Sequence, residues 1–285
     1  GWGQSTPGYA IKAGMKPALI ALDLDDTLLS PDLSISDLNA DAVSRVLEEG
    51  IPVILASGRT IDSMRGYARQ LGIDGRGLPM ICANGAEVRD TDNEMVLRRL
   101  ALTPHACRMA LTVLQDLGLP AQAYEEGYIV VSEHNKWTEE DCRLTGMGIR
   151  LATGHDELAM IPRSKLIASG DPDLISRVYD EVKLRLAGIA NVLVSKPCFL
   201  EILPPGADKG EALAWVASEM GVSREAVMAV GDSGNDLGML GWAGIGCAPA
   251  DARPDVRAVA RHVSSRGHAE SAVAELLDRF VFNRP

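Results

Sequence analysis

The chain has 285 residues, 46% of them hydrophobic, and it carries a formal net charge of −11. A chain of this length and composition can bury one large core or two smaller ones. The acidic balance argues against nucleic acid or an anionic membrane as the main partner, and without a run of about 18 apolar residues we expect no membrane span. Five scattered cysteines without a C-x-x-C pair favour a reducing, cytoplasmic setting.

The first part of the chain predicts alternating strands and helices. Residues 1–14 are rich in glycine and lack the features of a signal peptide, so we expect either an expression remnant ahead of Met15 or a loose tail. The predicted elements that follow are a strand at 17–23, a helix at 37–49, a strand at 51–56, a helix at 60–71 and a strand at 80–83. This rhythm implies a parallel sheet covered on both faces, with the carboxyl ends of its strands at one edge.

The middle of the chain does not alternate strands and helices regularly, and this alternation resumes near the end of the chain. Short strands are expected around 86–98, 121–131, 164–169, 191–195 and 199–203, with helices near 103–117 and 172–187; residues 133–162 show little pattern. The last part predicts a helix at 209–220, a strand at 226–231, a helix at 235–241, a strand at 244–248 and helices near 253–260 and 269–281. We therefore expect an α/β core made from both ends of the chain, with an α+β insertion between them.

Polar motifs stand at the boundaries of these predicted elements. Asp23-Leu24-Asp25-Asp26-Thr27 ends the first strand, and alternate side chains of an extended strand share a face, so Asp23 and Asp25 point the same way. Two such carboxylates repel each other unless a cation or a shared proton relieves them. Three further motifs follow at element boundaries, namely Ser57-Gly58-Arg59, Asp208-Lys209-Gly210 and the run from Gly231 to Asp236.

These four motifs, in this order, resemble those of the haloacid dehalogenase (HAD) superfamily of phosphotransferases. The resemblance covers residues 17–282, and the insertion between the second and third motifs is similar to the large cap of the type IIB, or Cof-type, phosphatases. The segments 84–86 (Asn-Gly-Ala) and 199–202 (Phe-Leu-Glu-Ile) are also similar to recurring Cof-type segments. The resemblance implies a Rossmann-like α/β core with a parallel sheet and helices on both faces, formed by residues 15–86 and 204–285, and an α+β cap domain over residues 87–203.

The resemblance also implies the roles of the acidic residues. Asp23 would be the nucleophile that forms an aspartyl-phosphate, and Asp25 would be the general acid and base. A Mg²⁺ ion would be held by the Asp23 carboxylate, the main-chain oxygen of Asp25 and the Asp232 carboxylate, with Asp236 counted in the same metal site. Asp232 and Asp236 could instead cap the following helix.

Four further residues are candidates for binding the phosphoryl group. By resemblance, Ser57, Gly58, Lys209 and Asn235 would surround its oxygens. Taken singly, a serine after a strand is usually a helix cap and an exposed lysine is usually solvated. We expect Arg59 to contact substrate or to form a surface salt bridge. Close to the acidic pair, Asp26 should face away from Asp23, and Thr27 should support the loop.

The combined expectation is a cytoplasmic Mg²⁺-dependent phosphatase, with an aspartyl-phosphate intermediate and a cap that selects the substrate. Its expected partner is a small phosphorylated metabolite such as a sugar phosphate, with no nucleic acid and no membrane, and the protein would be a monomer or a homodimer. Three alternatives stay open. They are a phosphomutase similar to phosphomannomutases, a signalling receiver domain, and a non-catalytic sugar-phosphate sensor. Receiver domains place the acidic pair and the phospho-acceptor on separate strands, whereas Asp23 and Asp25 share one.

Overall fold

The computed structural model describes residues 16–125 and 127–284. Its strands are β1 (Leu19–Leu22), β2 (Val53–Leu55), β3 (Pro79–Cys82), β4 (Glu87–Asp90), β5 (Val96–Arg99), β6 (Ala121–Glu125), β7 (Tyr128–Val131), β8 (Gly148–Leu151), β9 (Leu166–Ser169), β10 (Asn191–Lys196), β11 (Phe199–Leu203), β12 (Val227–Val230), β13 (Ile245–Ala248) and β14 (His262–Val263). Its α-helices are α1 (Asp37–Glu48), α2 (Ile61–Gln70), α3 (Pro104–Asp116), α4 (Lys136–Thr145), α5 (Pro172–Arg185), α6 (Lys209–Glu219), α7 (Leu237–Trp242), α8 (Pro254–Val259) and α9 (Ala272–Val281). The tail expected at residues 1–14 lies outside the described residues, as do residues 15 and 285 of the predicted core and residue 126 of the predicted cap.

A parallel sheet joins the two ends of the chain. Its strand order is β14-β13-β12-β1-β2, and every pair in it is parallel. β1 lies between β2 and β12, with Leu19 opposite Val227. All residues of β1, β2, β12 and β13 are buried, which requires cover on both faces and explains why these strands read as unbroken apolar runs. The expected α/β core with a parallel sheet is confirmed.

The apolar faces of α1, α2, α6, α7 and α9 supply that cover. Val43 and Val46 of α1, Leu213 of α6 and Leu276 and Leu277 of α9 belong to one buried cluster with the sheet. α1 begins where the sequence indicates, because the side chain of its cap residue accepts a hydrogen bond from the third residue of the helix. The helices thus hold the sheet in place by covering its faces. The parallel strands of the sheet end together at one edge.

A small antiparallel sheet, β3-β4-β5, extends the core. A parallel bridge between Ala56 and Ile81 connects β2 to β3, and β3 pairs along its whole length with β4. The expected boundary between residues 86 and 87 would separate these two paired strands. We propose that the boundary lies after β5. The next bridge along the chain pairs Leu102 with Arg163, and both residues belong to the insertion.

The insertion has its own six-stranded sheet. Its order is β10-β11-β9-β6-β7-β8, and only the pair of β7 and β8 is parallel. Alternate residues of β9 face opposite sides: Leu166 and Ala168 pack in one cluster with α3 and α5, whereas Ile167 packs with Phe199 and Leu144 of α4. The second side faces the carboxyl edge of the core sheet and forms a cap over it.

Two elements appear where the sequence showed little pattern. They are α4 and β8, both within residues 133–162; β14, a strand that was also not predicted, has only two residues. α4 has clear ends, with a capping box at Asn135 and a left-handed Gly146 after its last residue. It buries only Thr138, Asp141 and Leu144, so its apolar periodicity is too weak to detect. Among the described residues, no helix has the length and apolar character that a membrane crossing needs.

Candidate active site

Three strands of the core sheet end beside one another in polar residues. Asp23 follows β1, Ser57 follows β2 after one residue, and Asp232 follows β12 after one residue. The Asp23 side chain is buried, and its N–H donates to the carbonyl oxygen of Val230 (3.0 Å), which ties the first motif to the fourth. Parallel strands place their carboxyl ends at one edge, so residues more than 200 positions apart in the sequence meet there.

Lys209 lies at the centre of this edge, with its side chain completely buried. Its Nζ contacts Asp23 Oδ1 (2.6 Å) and Asp236 Oδ1 (2.7 Å). Burial alone would lower the pKa of Lys209, but the two carboxylates outweigh it and hold that pKa above its usual range. Asp208 fixes the start of α6, where Lys209 is the first residue, by accepting hydrogen bonds from the N–H groups of Gly210 and Glu211. Lys209 is therefore not a solvated surface lysine.

Asp236 closes the loop that follows β12. Its second oxygen, Oδ2, accepts hydrogen bonds from the N–H groups of Asp232 (3.0 Å) and Ser233 (3.1 Å). A Cβ on Gly231 would overlap the Asp236 side chain, so this turn needs glycine. Both oxygens of Asp236 are thus engaged in holding Lys209 and the loop, in addition to lying near the metal candidates.

Asp232 carries a poorly compensated charge. Its Oδ1 accepts a hydrogen bond from Thr27 Oγ1 (2.9 Å), which gives Thr27 the supporting role expected for it. Burial, followed by the Asp23 and Asp236 carboxylates, raises the pKa of Asp232 to about 9. Burial and Asp236 likewise raise the pKa of Asp23 to about 7, against the opposing effect of Lys209.

The acidic residues fit a hard divalent cation. One carboxylate oxygen each from Asp23, Asp232 and Asp236 lie within 4.8 Å of one another. Among the described residues, the buried cations that form ion pairs with these carboxylates and with Asp25 are Lys209 and Arg59. Four carboxylates and two cations leave a formal excess of two negative charges, which one divalent cation would neutralise. Carboxylate oxygens are the ligands that Mg²⁺ prefers.

Asp25 lines the same cavity as Asp23 but points at a different partner. Its two oxygens accept hydrogen bonds from Arg59 Nη2 (2.7 Å) and Nε (2.8 Å), while Arg59 Nη1 donates to the Leu144 carbonyl oxygen of the cap (2.5 Å). Burial tends to raise the pKa of Asp25, but Arg59 prevails and lowers it. The Arg59 side chain is only 6% exposed, so the expected surface salt bridge does not describe it.

The neighbouring Asp26 adopts a left-handed conformation (φ 56°) and also lines the cavity. Its carboxylate lies 3.6 Å from Lys196 Nζ and 3.8 Å from His268 Nε2. The side chain is half exposed, as a turn residue should be. Asp26 therefore pairs with cations other than Lys209 and Arg59, the partners of Asp23 and Asp25.

Ser57 and Gly58 form the second side of the site. Ser57 is buried, and its Oγ accepts a hydrogen bond from the Arg59 N–H (3.2 Å); it does not cap α2, which begins after Thr60. A Cβ on Gly58 would lie 3.0 Å from Asn84 Nδ2, so glycine allows this close approach. The loop thereby presents a hydroxyl and backbone groups to the cavity.

The cap supplies a wall that sequence reasoning did not identify. The cavity between core and cap is also lined by Tyr124, Asp141, Lys165, Ile167 and Phe199. Asp141 accepts hydrogen bonds from the Tyr124 hydroxyl and from Gln122 Nε2 (2.6 Å), and the Lys165 ammonium lies 4.8 Å from the centre of the Tyr124 ring. Phe199 belongs to the segment 199–202 that the sequence marks as similar to a Cof-type segment, although no role was expected for it. The other four residues come from separate elements with no shared motif, so no local signal could have found them.

Comparisons with known proteins agree with this architecture. A model of the haloacid dehalogenase-like hydrolase family matches residues 20–277. The HMP-PP phosphatase of Enterobacter sp. (strain 638) is 30% identical over 92% of this chain and 95% of its own length. The 5-amino-6-(5-phospho-D-ribitylamino)uracil phosphatase YcsE of Bacillus subtilis (strain 168) is 29% identical over the same shares of the two chains.

A solved structure supports the same assignment. A haloacid dehalogenase-like hydrolase from Bacteroides thetaiotaomicron has a TM-score of 0.85 and 30% identity, and the match covers 93% of this chain and 99% of the other. The fold and the family exclude the receiver-domain alternative. The chain therefore belongs to the haloacid dehalogenase-like hydrolases, in their Cof-type branch, and is a phosphoric monoester hydrolase.

Proposed function

We propose that the protein is a Mg²⁺-dependent phosphatase that hydrolyses small phosphorylated metabolites through an aspartyl-phosphate on Asp23. The observation that carries this proposal is the position of Asp23 between Lys209 and Asp232 in a cavity also lined by Ser57. The relative named for a phosphorylated ribitylamino-uracil supports a small substrate. The cap supports the same conclusion, because it covers the strand ends and leaves little room for a folded protein.

The first step forms a bond between phosphorus and a carboxylate oxygen of Asp23 as the bond to the leaving oxygen breaks. Lys209 holds Asp23 in place and lies where its charge stabilises the phosphoryl oxygens, and Ser57 donates its hydroxyl hydrogen to them. A bound Mg²⁺ would neutralise charge shared by the carboxylates of Asp23 and Asp232 and the phosphoryl group. Asn235, on the same loop as Asp232, lies at the rim of this cavity.

Asp25 carries the proton in both steps. In the first step it protonates the leaving alcohol. In the second step it takes a proton from a water molecule, whose oxygen attacks phosphorus as the bond between phosphorus and the Asp23 oxygen breaks. Arg59 favours the ionised form that the second step needs. Because the same guanidinium contacts the cap at Leu144, the protonation of Asp25 is linked to the position of the cap.

The proposal is tested by phosphate release from sugar phosphates, nucleotides and p-nitrophenyl phosphate, with Mg²⁺ and with a chelator. We expect Mg²⁺-dependent release that Asp23→Asn lowers by about a thousandfold or more. Asp26→Asn is the matched control on the adjacent carboxylate, which faces Lys196 and His268, and it should retain most of the wild-type rate.

Other outcomes would point to the open alternatives. Turnover that requires a bisphosphate activator would replace the phosphatase with a phosphomutase. Tight binding of a sugar phosphate without release, unchanged in Asp23→Asn, would indicate a sensor. Release that continues at the wild-type rate in a chelator would contradict the metal dependence.

A further inference from the structure

Two segments that the phosphatase mechanism does not use meet across the boundary between core and cap. They are the Asn84-Gly85 turn after β3 and Glu201 in β11. Asn84 Nδ2 donates a hydrogen bond to Glu201 Oε2 (3.0 Å), and both side chains are buried. A buried carboxylate and amide are costly to leave unpaired, so this contact contributes to holding the two domains together.

The contact continues into the loop after β12. Asn84 Oδ1 accepts a hydrogen bond from Asn235 Nδ2 (2.9 Å), and Asn235 Oδ1 accepts one from Ser233 Oγ (2.9 Å). A carboxylate can only accept hydrogen bonds, so Glu201 determines which end of the Asn84 amide faces it. That choice in turn sets the orientation of Asn235. A single cap carboxylate thereby determines the direction of a hydrogen-bond chain that ends next to Asp232.

The backbone supports this chain. Asn84 lies in the left-handed region (φ 53°), which asparagine adopts more readily than most residues. Gly85 also has a positive φ of 87°, and a Cβ on it would overlap the carbonyl oxygen of Asp208, which precedes Lys209. The turn is therefore pressed against the start of α6 and cannot shift without moving Lys209.

A second cap residue joins the same carboxylate to the other core loop. Lys165 Nζ lies 3.5 Å from Glu201 Oε2 and donates a hydrogen bond to the Gly58 carbonyl oxygen (2.7 Å). Glu201 is thus connected to both loops that surround the phosphoryl position, through Asn84 on one side and Lys165 on the other. The cap therefore contacts both loops at once.

We propose that Asn84 and Glu201 are positioning residues through which the docked cap orders the catalytic loop from Gly231 to Asp236. Neither residue needs to touch the reacting atoms for this role. The inference rests on the proposed function for its kinetic consequence, but the ordering of the loop is a property of the protein alone.

The test compares Asn84→Ala, Glu201→Ala and the double variant in the full chain, with p-nitrophenyl phosphate and Mg²⁺. We expect each single variant to lower kcat by about tenfold, which is the effect of losing one hydrogen bond to a charged group. KM should stay within about twofold, because ground-state binding is unchanged. The double variant should lose about the same tenfold rather than about a hundredfold, since both residues act along one route.

Two variants separate this role from a general effect on the cap. Glu201→Gln keeps an acceptor for Asn84 and should restore most of kcat. Glu87→Gln is the matched control: Glu87 is also buried and also joins the core to the cap, through Ser164, but it does not contact the chain that leads to Asn235. It should leave kcat unchanged.

A readout that does not depend on activity completes the test. Amide hydrogen exchange over residues 231–236 should become faster in Asn84→Ala and Glu201→Ala and stay unchanged in Glu87→Gln. Exchange and kcat that match the wild type in the two alanine variants would overturn the proposal, and so would a Glu201→Gln variant as slow as Glu201→Ala. A rise in KM in Glu201→Ala alone would instead make Glu201 a substrate contact. If the wild type released no phosphate, the proposed function would fail while the exchange result still decided the positioning role.

Discussion

Arg59 connects the proton-carrying residue to the cap with one guanidinium group. Arg59 Nε and Nη2 donate hydrogen bonds to the two oxygens of Asp25, and Nη1 donates one to the Leu144 carbonyl oxygen. A planar fork with fixed donors suits this arrangement in a way that a lysine ammonium would not. The ionisation of Asp25 therefore depends on Arg59, which leads to a prediction about pH.

We predict that Arg59→Met shifts the pH dependence of kcat/KM. Burial would then be opposed only by the weaker effects of the Lys196 and Lys209 charges, so the pKa of Asp25 rises. For an alkyl phosphate, whose leaving group needs a proton, kcat/KM falls as Asp25 ionises in the free enzyme. Because Arg59 holds the wild-type pKa of Asp25 below its usual range, a wild-type profile from pH 4 to 10 should already lie past the basic limb. In Arg59→Met the limb should move to higher pH and enter this range.

Two further variants control this measurement. Arg65→Met removes an exposed arginine of α2 that pairs with Asp62, and it should leave the limb in place. Asp25→Asn should abolish the limb together with most of the activity. A limb that stays fixed in Arg59→Met, or that survives in Asp25→Asn, would show that Asp25 does not carry this proton.

At the scale of elements, the turn after β3 requires a glycine at position 85. Gly85 has a positive φ and lies against the backbone of Asp208, the cap of α6. We predict that Gly85→Ala lowers the free energy of unfolding by about 1–3 kcal/mol more than Gly72→Ala. Gly72 is the matched control because it also has a positive φ, of 67°, but an added Cβ there would meet no atom within 4 Å.

Urea denaturation measures this difference directly. Both variants suffer the strain of a side chain in the left-handed region, so only the steric overlap at Gly85 separates them. Activity gives a second readout, because displacement of α6 moves Lys209, whereas Gly72 lies at the end of α2, on a turn that does not contact the site. Equal losses of stability in the two variants would contradict the overlap.

The same elements show what a sequence can and cannot reveal. The core strands and α1 were predictable because burial imposes unbroken apolar runs or an apolar stripe, and Ser36 and Gly50 mark the ends of the helix. The site residues of the core lie directly after those strands, so parallel topology brought together Asp23, Ser57 and Asp232. Lys165 and Asp141 could not be found this way, because their partners Gly58 and Gln122 are set by tertiary pairing.

At the scale of the whole molecule, the site joins parts of the chain that are far apart in sequence. Asp23 comes from the first strand, whereas Lys209, Asp232 and Asp236 come from the last third of the chain. Asp23, Lys209 and Asp236 are buried and Asp232 is half-buried, at the edge of the core sheet that the cap covers. The ionisation of this cluster should therefore affect the stability of the entire molecule.

We predict that the metal-free protein becomes less stable as pH rises from 5 to 9. The pKa of Asp23 is raised to about 7 and that of Asp232 to about 9, first by burial and then by neighbouring carboxylates. In the unfolded chain both groups ionise near pH 4, at a pKa of about 4. A raised native pKa contributes stability that is complete below the unfolded pKa and is lost as pH rises through the native pKa.

Thermal unfolding in a chelator and in Mg²⁺, across this pH range, checks the prediction. Asp232→Asn removes one charge and keeps an acceptor for Thr27, so its Tm in the chelator should fall less between pH 5 and 9 than that of the wild type. Mg²⁺ should raise the wild-type Tm more at pH 8 than at pH 6, because its ligands must be ionised. It should raise the Tm of Asp232→Asn little at either pH. A wild-type Tm with the same pH dependence as that of Asp232→Asn would mean that the cluster is neutralised within the protein, and the charge argument for a divalent cation would no longer hold.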